Sequence, residues 1–204
     1  STFDVDHIPP EALMFQAGYL TIDSVWRIPG RMEITLKYPN LEVQASLNDS
    51  LLQYLVGNAS LPGPYIGRLY RLLQAQDFAG MRAMFQAFFS SIPHDWYRNS
   101  PIAQYEGYWA SIFYSHFAAL GLDIRLEDTT NKGRIDMAVL FQAQVFMFEF
   151  KVVELVPEGR ALQQIKDKRY ADKYRARGEP IHLIGMEFSQ AERNVVGFEV
   201  ETLK

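Results

Sequence analysis

The first part of the chain switches from the alternating spacing of strands to the spacing of helices. Residues 19–28 and 31–38 read as strands, and the Pro29-Gly30 pair between them is a strong turn signal. These segments therefore predict a β-hairpin. Apolar side chains then recur every three or four residues, as on one face of a helix. The helices that this spacing predicts span residues 46–56 and 65–76, with a third that begins after Asp77, a favoured N-cap residue.

The third of these helices carries a stripe of methionine and phenylalanine. The stripe has the spacing of one helix face, which favours a place in the hydrophobic core. The alternative is a partner-binding groove, which would make this region an interaction domain. The members of the stripe are Met81, Met84, Phe85, Phe88 and Phe89.

A break near residues 91–101 interrupts two helical patterns with prolines and small polar residues. We expect residues 1–95 to form a smaller, mostly helical region that carries the hairpin, and residues 101–204 to form a second domain. The second part reads as helix, three strands, helix, two strands. This order predicts an α/β (α+β) fold with a mixed central sheet flanked by helices. Its strand-like runs are 122–127, 134–141, 144–153, 181–188 and 195–202, and its charged helix spans about 158–177.

The amino-acid composition excludes several kinds of functional site. The 204 residues carry a net charge of −4 and contain no cysteine, which excludes disulfides, thiolate zinc sites and a cysteine nucleophile. The four histidines are scattered without metal-ligand spacing, which favours surface or core positions over a zinc site. No apolar run reaches the length of a membrane span and no secretory leader is visible, so we expect a cytoplasmic protein without a membrane partner.

Three charged residues lie inside runs that otherwise read as buried strands. Asp136 is in the second run, and Glu149 and Lys151 are in the third. Alternate residues of a strand share a face, so Glu149 and Lys151 point the same way. If the hairpin between the two runs has a two-residue loop, Asp136 lies opposite one of them and the three side chains converge. A three-residue loop without a bulge would place Asp136 on the wrong face.

Such a cluster suits a divalent metal ion. Asp136 and Glu149 offer hard oxygen ligands for Mg²⁺ or Mn²⁺, which could polarise a phosphodiester and activate water. Lys151 could orient that water or stabilise the charge that develops on the phosphate. The alternative is a buried ion-pair network with a purely structural role, and the short pattern alone leaves both interpretations open.

Two further features accompany the cluster. Glu106 stands near the start of an apolar helix that could aim it at the same metal, although a solvent-facing glutamate is the alternative. Residues 160–177 hold seven basic and two acidic side chains, a local charge of +5 that could meet a phosphate backbone. A solvated helix face is the alternative there.

As a set, these residues resemble the PD-(D/E)XK nuclease superfamily, and within it a bacterial branch in which the nuclease-like domain follows an AAA-ATPase-like domain. The resemblance implies a restriction-endonuclease-like core over about residues 103–190. No P-loop motif occurs in this chain, so the ATP-binding part of that branch is absent from it. If the parent protein has such a part, this chain is its C-terminal portion. The resembling stretches are Tyr105-Glu106-Gly107, Gly133-Arg134-Ile135-Asp136, Phe148-Glu149-Phe150-Lys151, Ala161 to Ile165, Lys168-Arg169-Tyr170, and, as the linker after the ATPase core, Phe15 to Ile22.

The resemblance implies metal binding by Asp136, Glu149 and Glu106, a catalytic role for Lys151, and a supporting role for Gln164. We expect the nucleic acid to contact Lys168, Tyr170, Arg134 and Lys132. The function expected from the sequence is a Mg²⁺-dependent or Mn²⁺-dependent nuclease, with DNA as the expected substrate. A catalytically silent module on the same scaffold, binding nucleic acid or protein beside an ATPase, is the alternative.

Overall fold

The computed structural model describes residues 9–57, 62–93, 106–130 and 133–203, apart from the side chains of residues 62, 106, 107, 127 and 129. Its first part contains a short helix, an antiparallel hairpin and three helices. The predicted hairpin is confirmed, with Ile28 paired to Arg31 across the Pro29-Gly30 turn. The elements are α1 (Pro10–Gln16), β1 (Thr21–Ile28), β2 (Arg31–Lys37), α2 (Leu41–Val56), α3 (Pro62–Ala75) and α4 (Phe78–Ser90).

Side-chain caps set where two of these helices begin. The Asn40 side chain accepts a hydrogen bond of 2.8 Å from the backbone N–H of Val43, so α2 begins at residue 41 and is longer than the apolar spacing predicted. The Asp77 side chain accepts one of 2.8 Å from the backbone N–H of Gly80, which confirms Asp77 as the N-cap of α4.

The second part is built on a five-stranded sheet in the order β3-β4-β5-β6-β7. Only the β5–β6 pair is parallel, and it is joined by a crossover that contains a helix. The predicted order of helix, three strands, helix and two strands, and the mixed α/β fold, are confirmed. The elements are α5 (Glu106–Ala119), β3 (Asp123–Thr130), β4 (Gly133–Phe141), β5 (Gln144–Val153), α6 (Arg160–Asp167), β6 (Ile181–Ser189) and β7 (Asn194–Leu203).

The predicted single charged helix over residues 158–177 is wrong. The α-helix ends at Asp167, Arg169 takes a left-handed conformation with φ 52°, and two 3₁₀ turns follow at Tyr170–Lys173 and Arg175–Arg177. The break turns Tyr170, Ala171 and Tyr174 into a hydrophobic cluster under the sheet. Burial of these side chains outweighs the helix propensity of the charged residues around them.

The main hydrophobic core joins α2, α3 and α4 to α5 and to one face of the sheet. The methionine and phenylalanine stripe of α4 is fully buried in it, so the prediction of a core face is confirmed and the partner-binding groove is wrong. A second core lies on the other face, where α6 and the 3₁₀ turns pack. The proposed boundary between residues 95 and 101 lies outside the described residues and stays a prediction.

The hairpin of β1 and β2 contributes little to either core. Its apolar side chains are largely in contact with solvent, and Trp26 has 70% of its surface exposed. Within the described residues, every helix is too short or too polar to cross a membrane.

Candidate active site

The loop between β4 and β5 fixes the register on which the predicted cluster depends. Gln142 and Ala143 form a two-residue loop between the paired residues Phe141 and Gln144. Both loop residues have positive φ, 49° and 55°, as a type I′ hairpin turn requires. The even loop that the sequence argument needed is therefore present.

Asp136 lies where the β4–β5 ladder ends. The last pair in register is Met137 with Phe148. One residue further, the Asp136 Oδ2 atom accepts a hydrogen bond of 2.8 Å from the backbone N–H of Phe150. The carboxylate therefore reaches across to β5 at the point where the main-chain ladder stops, next to Glu149. Asp136 also lines a cavity of about 220 Å³ under α5, together with Ala110, Ser111, Tyr114, Leu126 and Phe150.

Glu149 is the most deeply placed of the three charged residues, with 1% of its surface exposed. Its Oε1 atom accepts a hydrogen bond from the side-chain amide of Gln164 and lies 3.3 Å from Lys151 Nζ. Its Oε2 atom is buried and has no hydrogen-bond partner within the described part of the chain. Burial, and then the nearby Asp136 carboxylate, raise the pKa of Glu149 to about 7, against the opposing effect of Lys151.

Lys151 connects this buried carboxylate to solvent. It follows Glu149 on the same face of β5, and 33% of its side chain is exposed. The ammonium group can therefore contact Glu149 and a molecule bound at the surface at the same time.

Gln164 and Tyr170 complete the cluster from α6 and the 3₁₀ turn that follows it, on the same face of the sheet as Glu149. Tyr170 is buried, and its pKa is raised first by burial and then by the Glu149 carboxylate, while a hydrogen bond with Gln164 opposes the shift. Gly133 has φ +144°, and a Cβ there would lie 3.0 Å from the Tyr170 hydroxyl oxygen. A glycine at this position lets the tyrosine reach the start of β4. The structure thus brings together Asp136, Glu149, Lys151, Gln164 and Tyr170.

The other predicted residues lie around this group. Arg134 and Lys168 are exposed, Arg134 in β4 and Lys168 at the end of α6. Glu106 is the first residue of α5, and its side chain lies outside the described residues, as does Lys132.

Most of the basic side chains in residues 160–177 have acidic partners. Lys166 bonds to Glu201 at 2.7 Å, and Arg169 and Arg175 both bond to Asp172. Within the described residues Lys168 is in no ion pair. The local excess of positive charge is therefore partly neutralised on the folded surface.

The chemistry of the cluster fits a divalent cation. Asp136 and Glu149 supply carboxylate oxygens, and the unpartnered Glu149 Oε2 is a buried acceptor that a cation would satisfy. A cation would also offset the burial and the repulsion from Asp136 that together raise the pKa of Glu149. The described residues contain no cluster of three carboxylate or histidine side chains that could hold a metal. Glu106, the predicted third ligand, has its side chain outside the described residues.

Two residues that hold α6 in place, Gly185 and Glu187, were not among those predicted from the sequence. Both lie in β6, where Glu187 is the only charged residue in a fully buried strand. The same signal that marked Glu149, a charge inside an apolar run, could have identified it.

Comparison with known proteins agrees with this geometry. Residues 104–198 match the family model of the PD-(D/E)XK nuclease superfamily, and this part of the chain is a domain of that superfamily. The chain is also similar to a protein of Azotobacter chroococcum mcd 1, described as an uncharacterized protein in the vnfD 5′ region. The two are 66% identical over 204 residues, which is 100% of this chain and 39% of the relative.

Proposed function

We propose that the superfamily domain is a nuclease that depends on Mg²⁺ or Mn²⁺ and hydrolyses phosphodiester bonds of nucleic acid, with DNA as the expected substrate. The observation that carries this proposal is the Glu149 carboxylate. It is held by Gln164 and Lys151 through one oxygen, and its other oxygen is buried without a partner in the described residues.

Each residue has a defined part in this reaction. Asp136 and Glu149 would hold the metal, with Glu106 as a further ligand, and the bound metal would polarise the phosphodiester and lower the pKa of water. Lys151 donates hydrogen bonds to the phosphate or to the attacking water. Gln164 keeps the Glu149 carboxylate in one orientation. Arg134, Lys132 and Lys168 are proposed to contact the nucleic acid. Tyr170, with 2% of its surface exposed, is too buried for the predicted contact with substrate, and it is proposed to support Gln164 instead.

A catalytically silent module on this scaffold is the second candidate, and the ion pair between Lys151 and Glu149 favours it. A purely structural pair would satisfy its buried carboxylate completely, because each unmet acceptor lowers stability. The unpartnered Glu149 oxygen and the one-third exposure of Lys151 support the catalytic role instead.

The chain spans 39% of the length of the relative that it matches. This length supports the proposal that the domain works within a longer protein. The prediction that its neighbour is an AAA-ATPase-like domain rests on the resemblance of residues 15–22 to the linker of that bacterial branch. It remains a prediction.

Metal binding and cleavage, measured on the same samples, test the proposal. Calorimetry with Mg²⁺ and Mn²⁺ compares the wild type with Asp136→Asn, and each sample is then assayed on single-stranded and double-stranded DNA and on RNA. We expect Asp136→Asn to lose both binding and metal-dependent cleavage. Asp123→Asn is the matched control, because within the described residues this exposed strand aspartate forms an ion pair only with the neighbouring Arg125. Binding without cleavage of any substrate would favour the silent module, and no binding in the wild type would refute a metal-dependent enzyme.

A further inference from the structure

Glu187 is a buried carboxylate that the proposed reaction does not use. It lies in β6 beside Lys151 in the parallel ladder, and 2% of its surface is exposed. A charge in such a place must be matched by specific partners, because burying an unpaired carboxylate is costly.

The partners of Glu187 are backbone N–H groups at the start of α6. Glu158 and Gly159 donate to Oε2 at 2.6 and 3.1 Å, and Arg160 and Ala161 donate to Oε1 at 2.7 and 3.3 Å. The N–H groups of Gly159, Arg160 and Ala161 are among those that a helix N-terminus leaves without partners inside the helix, and Glu158 lies just before it. A carboxylate at this end of a helix is further stabilised by the helix dipole. Glu187 therefore caps α6 from a neighbouring strand.

Two glycines allow this close approach. A Cβ at Gly185 would lie 2.2 Å from the backbone nitrogen of Leu162, so the helix backbone rests directly on β6. A Cβ at Gly197, in the adjacent strand β7, would lie 3.0 Å from the Cβ of Glu187 and 3.1 Å from its Oε2. Gly197 therefore leaves the space that the carboxylate occupies.

The helix fixed in this way carries Gln164, which donates to Glu149. Gly185, on which the helix rests, is the ladder partner of Glu149. We propose that Glu187 is a positioning residue of the active site, which fixes the start of α6 and thereby holds Gln164 against the Glu149 carboxylate. The inference rests on the proposed nuclease function for its effect on cleavage, and on geometry alone for its effect on Gln164.

The direct test follows the side-chain amide of Gln164 by NMR, with its signals assigned by their absence in Gln164→Ala. Glu187→Gln retains the size of the side chain but replaces one acceptor oxygen with an NH₂ group facing N–H donors. We expect the chemical shifts of the Gln164 side-chain amide to change in Glu187→Gln. We expect the same in Gly197→Ala, because the added methyl group displaces the Glu187 carboxylate without removing it. Asp77→Asn, which alters the cap of α4, is the matched control and leaves them unchanged.

A double-mutant cycle tests the effect on cleavage. We expect Glu187→Gln to lower kcat about tenfold or more with little change in KM, and to lower it less than twofold further in a Gln164→Ala background, because both changes act through one contact. Fully additive effects would overturn the proposal, as would unchanged Gln164 signals in Glu187→Gln. Absence of cleavage in the wild type, with the amide signals still moved by Glu187→Gln, would count against the proposed nuclease and leave the positioning role supported.

Discussion

At the scale of single residues, Glu149 combines burial with incomplete pairing. The fold places its carboxylate beside a second carboxylate and excludes water, which raises its pKa to about 7. Such an arrangement lowers stability in the absence of a counterion, since burial and a like charge both disfavour the ionised form. Groups with shifted pKa values of this origin are concentrated at functional sites. The two interpretations of Lys151, catalytic and structural, therefore predict different mutant behaviour.

Replacement of Lys151 by alanine separates these interpretations. We expect Lys151→Ala to reduce metal-dependent cleavage about 100-fold or more, as the removal of a donor to a developing charge does in other enzymes. The free energy of unfolding should fall by only about 1–2 kcal/mol, because Gln164 still bonds to Glu149 and the lysine is partly exposed. Cleavage rates and thermal unfolding of the same preparations measure the two effects.

Lys166→Ala is the control for this experiment, because Lys166 forms a surface ion pair with Glu201 on the same side of the sheet. It should leave both cleavage and stability nearly unchanged. A Lys151→Ala protein that fails to fold would contradict the catalytic interpretation and support a structural ion pair.

At the scale of elements, the strands and most of the helices could be predicted from the spacing of their apolar side chains and from the turn and cap residues between them. The β4–β5 hairpin is an instance in which periodicity alone was insufficient. Strand spacing identified Asp136 and Glu149, but their convergence depended on the length of the loop between the strands. The residue types of Gln142 and Ala143 do not predict a two-residue turn. Neither residue is favoured at positive φ, so tertiary packing of the two strands imposes the turn.

This turn gives a stability prediction. The double variant Gln142→Asn, Ala143→Gly places residues that favour positive φ at both loop positions, and it should stabilise the fold by about 1 kcal/mol. Circular dichroism should then show a rise in Tm of roughly 2–4 °C for a chain of this size. Cleavage should be unchanged, because the register is preserved. Ala143→Val, a β-branched residue at φ 55°, should lower Tm, and a Tm that falls in the double variant would contradict the turn assignment.

The charged segment after β5 was less predictable. Its composition favours a continuous helix. Tyr170 and Tyr174 are instead buried against the sheet, which stabilises a break in the helix. Arg169 adopts a left-handed conformation at this break. The same break places the Tyr170 hydroxyl beside Gly133. Local propensity could not predict this, because the decisive contacts join residues far apart in the sequence.

At the scale of the whole molecule, the N-terminal helices and the superfamily domain share one hydrophobic core. The Tyr108 hydroxyl in α5 donates to the carbonyl oxygen of Leu55 in α2 at 2.8 Å, and Phe89 in α4 packs edge-on against Phe188 in β6. The sheet that carries Glu149 is thus covered by α5 and α4. In contrast, the β1–β2 hairpin projects apolar side chains into solvent. Exposed apolar surface of this kind is typical of regions that contact other protein.

His116 lies in this shared core and makes its stability depend on pH. The ring is fully buried between Phe85 and Phe88 of α4, its Nδ1 lies 2.9 Å from the carbonyl oxygen of Ile112, and its Nε2 has no partner in the described residues. Burial lowers the pKa of His116 from 6.5 to about 4, against the smaller effect of the Ile112 hydrogen bond. The unfolded chain therefore binds a proton more readily than the folded chain between these two values. The contribution of the neutral, buried His116 to folding stability is therefore complete above pH 6.5 and is lost as the pH falls toward 4.

The full effect of this difference is about 3 kcal/mol, which is a large part of the stability of an ordinary domain. We expect the free energy of unfolding of the wild type to fall between pH 6.5 and 4 more steeply than that of His116→Leu, which keeps an apolar side chain of similar size among the same rings. Urea unfolding across this range measures both slopes. His182 bonds to Thr202 and Gln144 through its two ring nitrogens, but it also packs against Phe78 and Phe146, and burial lowers its pKa in the same direction. His182→Asn therefore measures the separate contribution of this second histidine to the slope. Equal slopes in the wild type and His116→Leu would mean that His116 is protonated without disturbing the core that supports the active site.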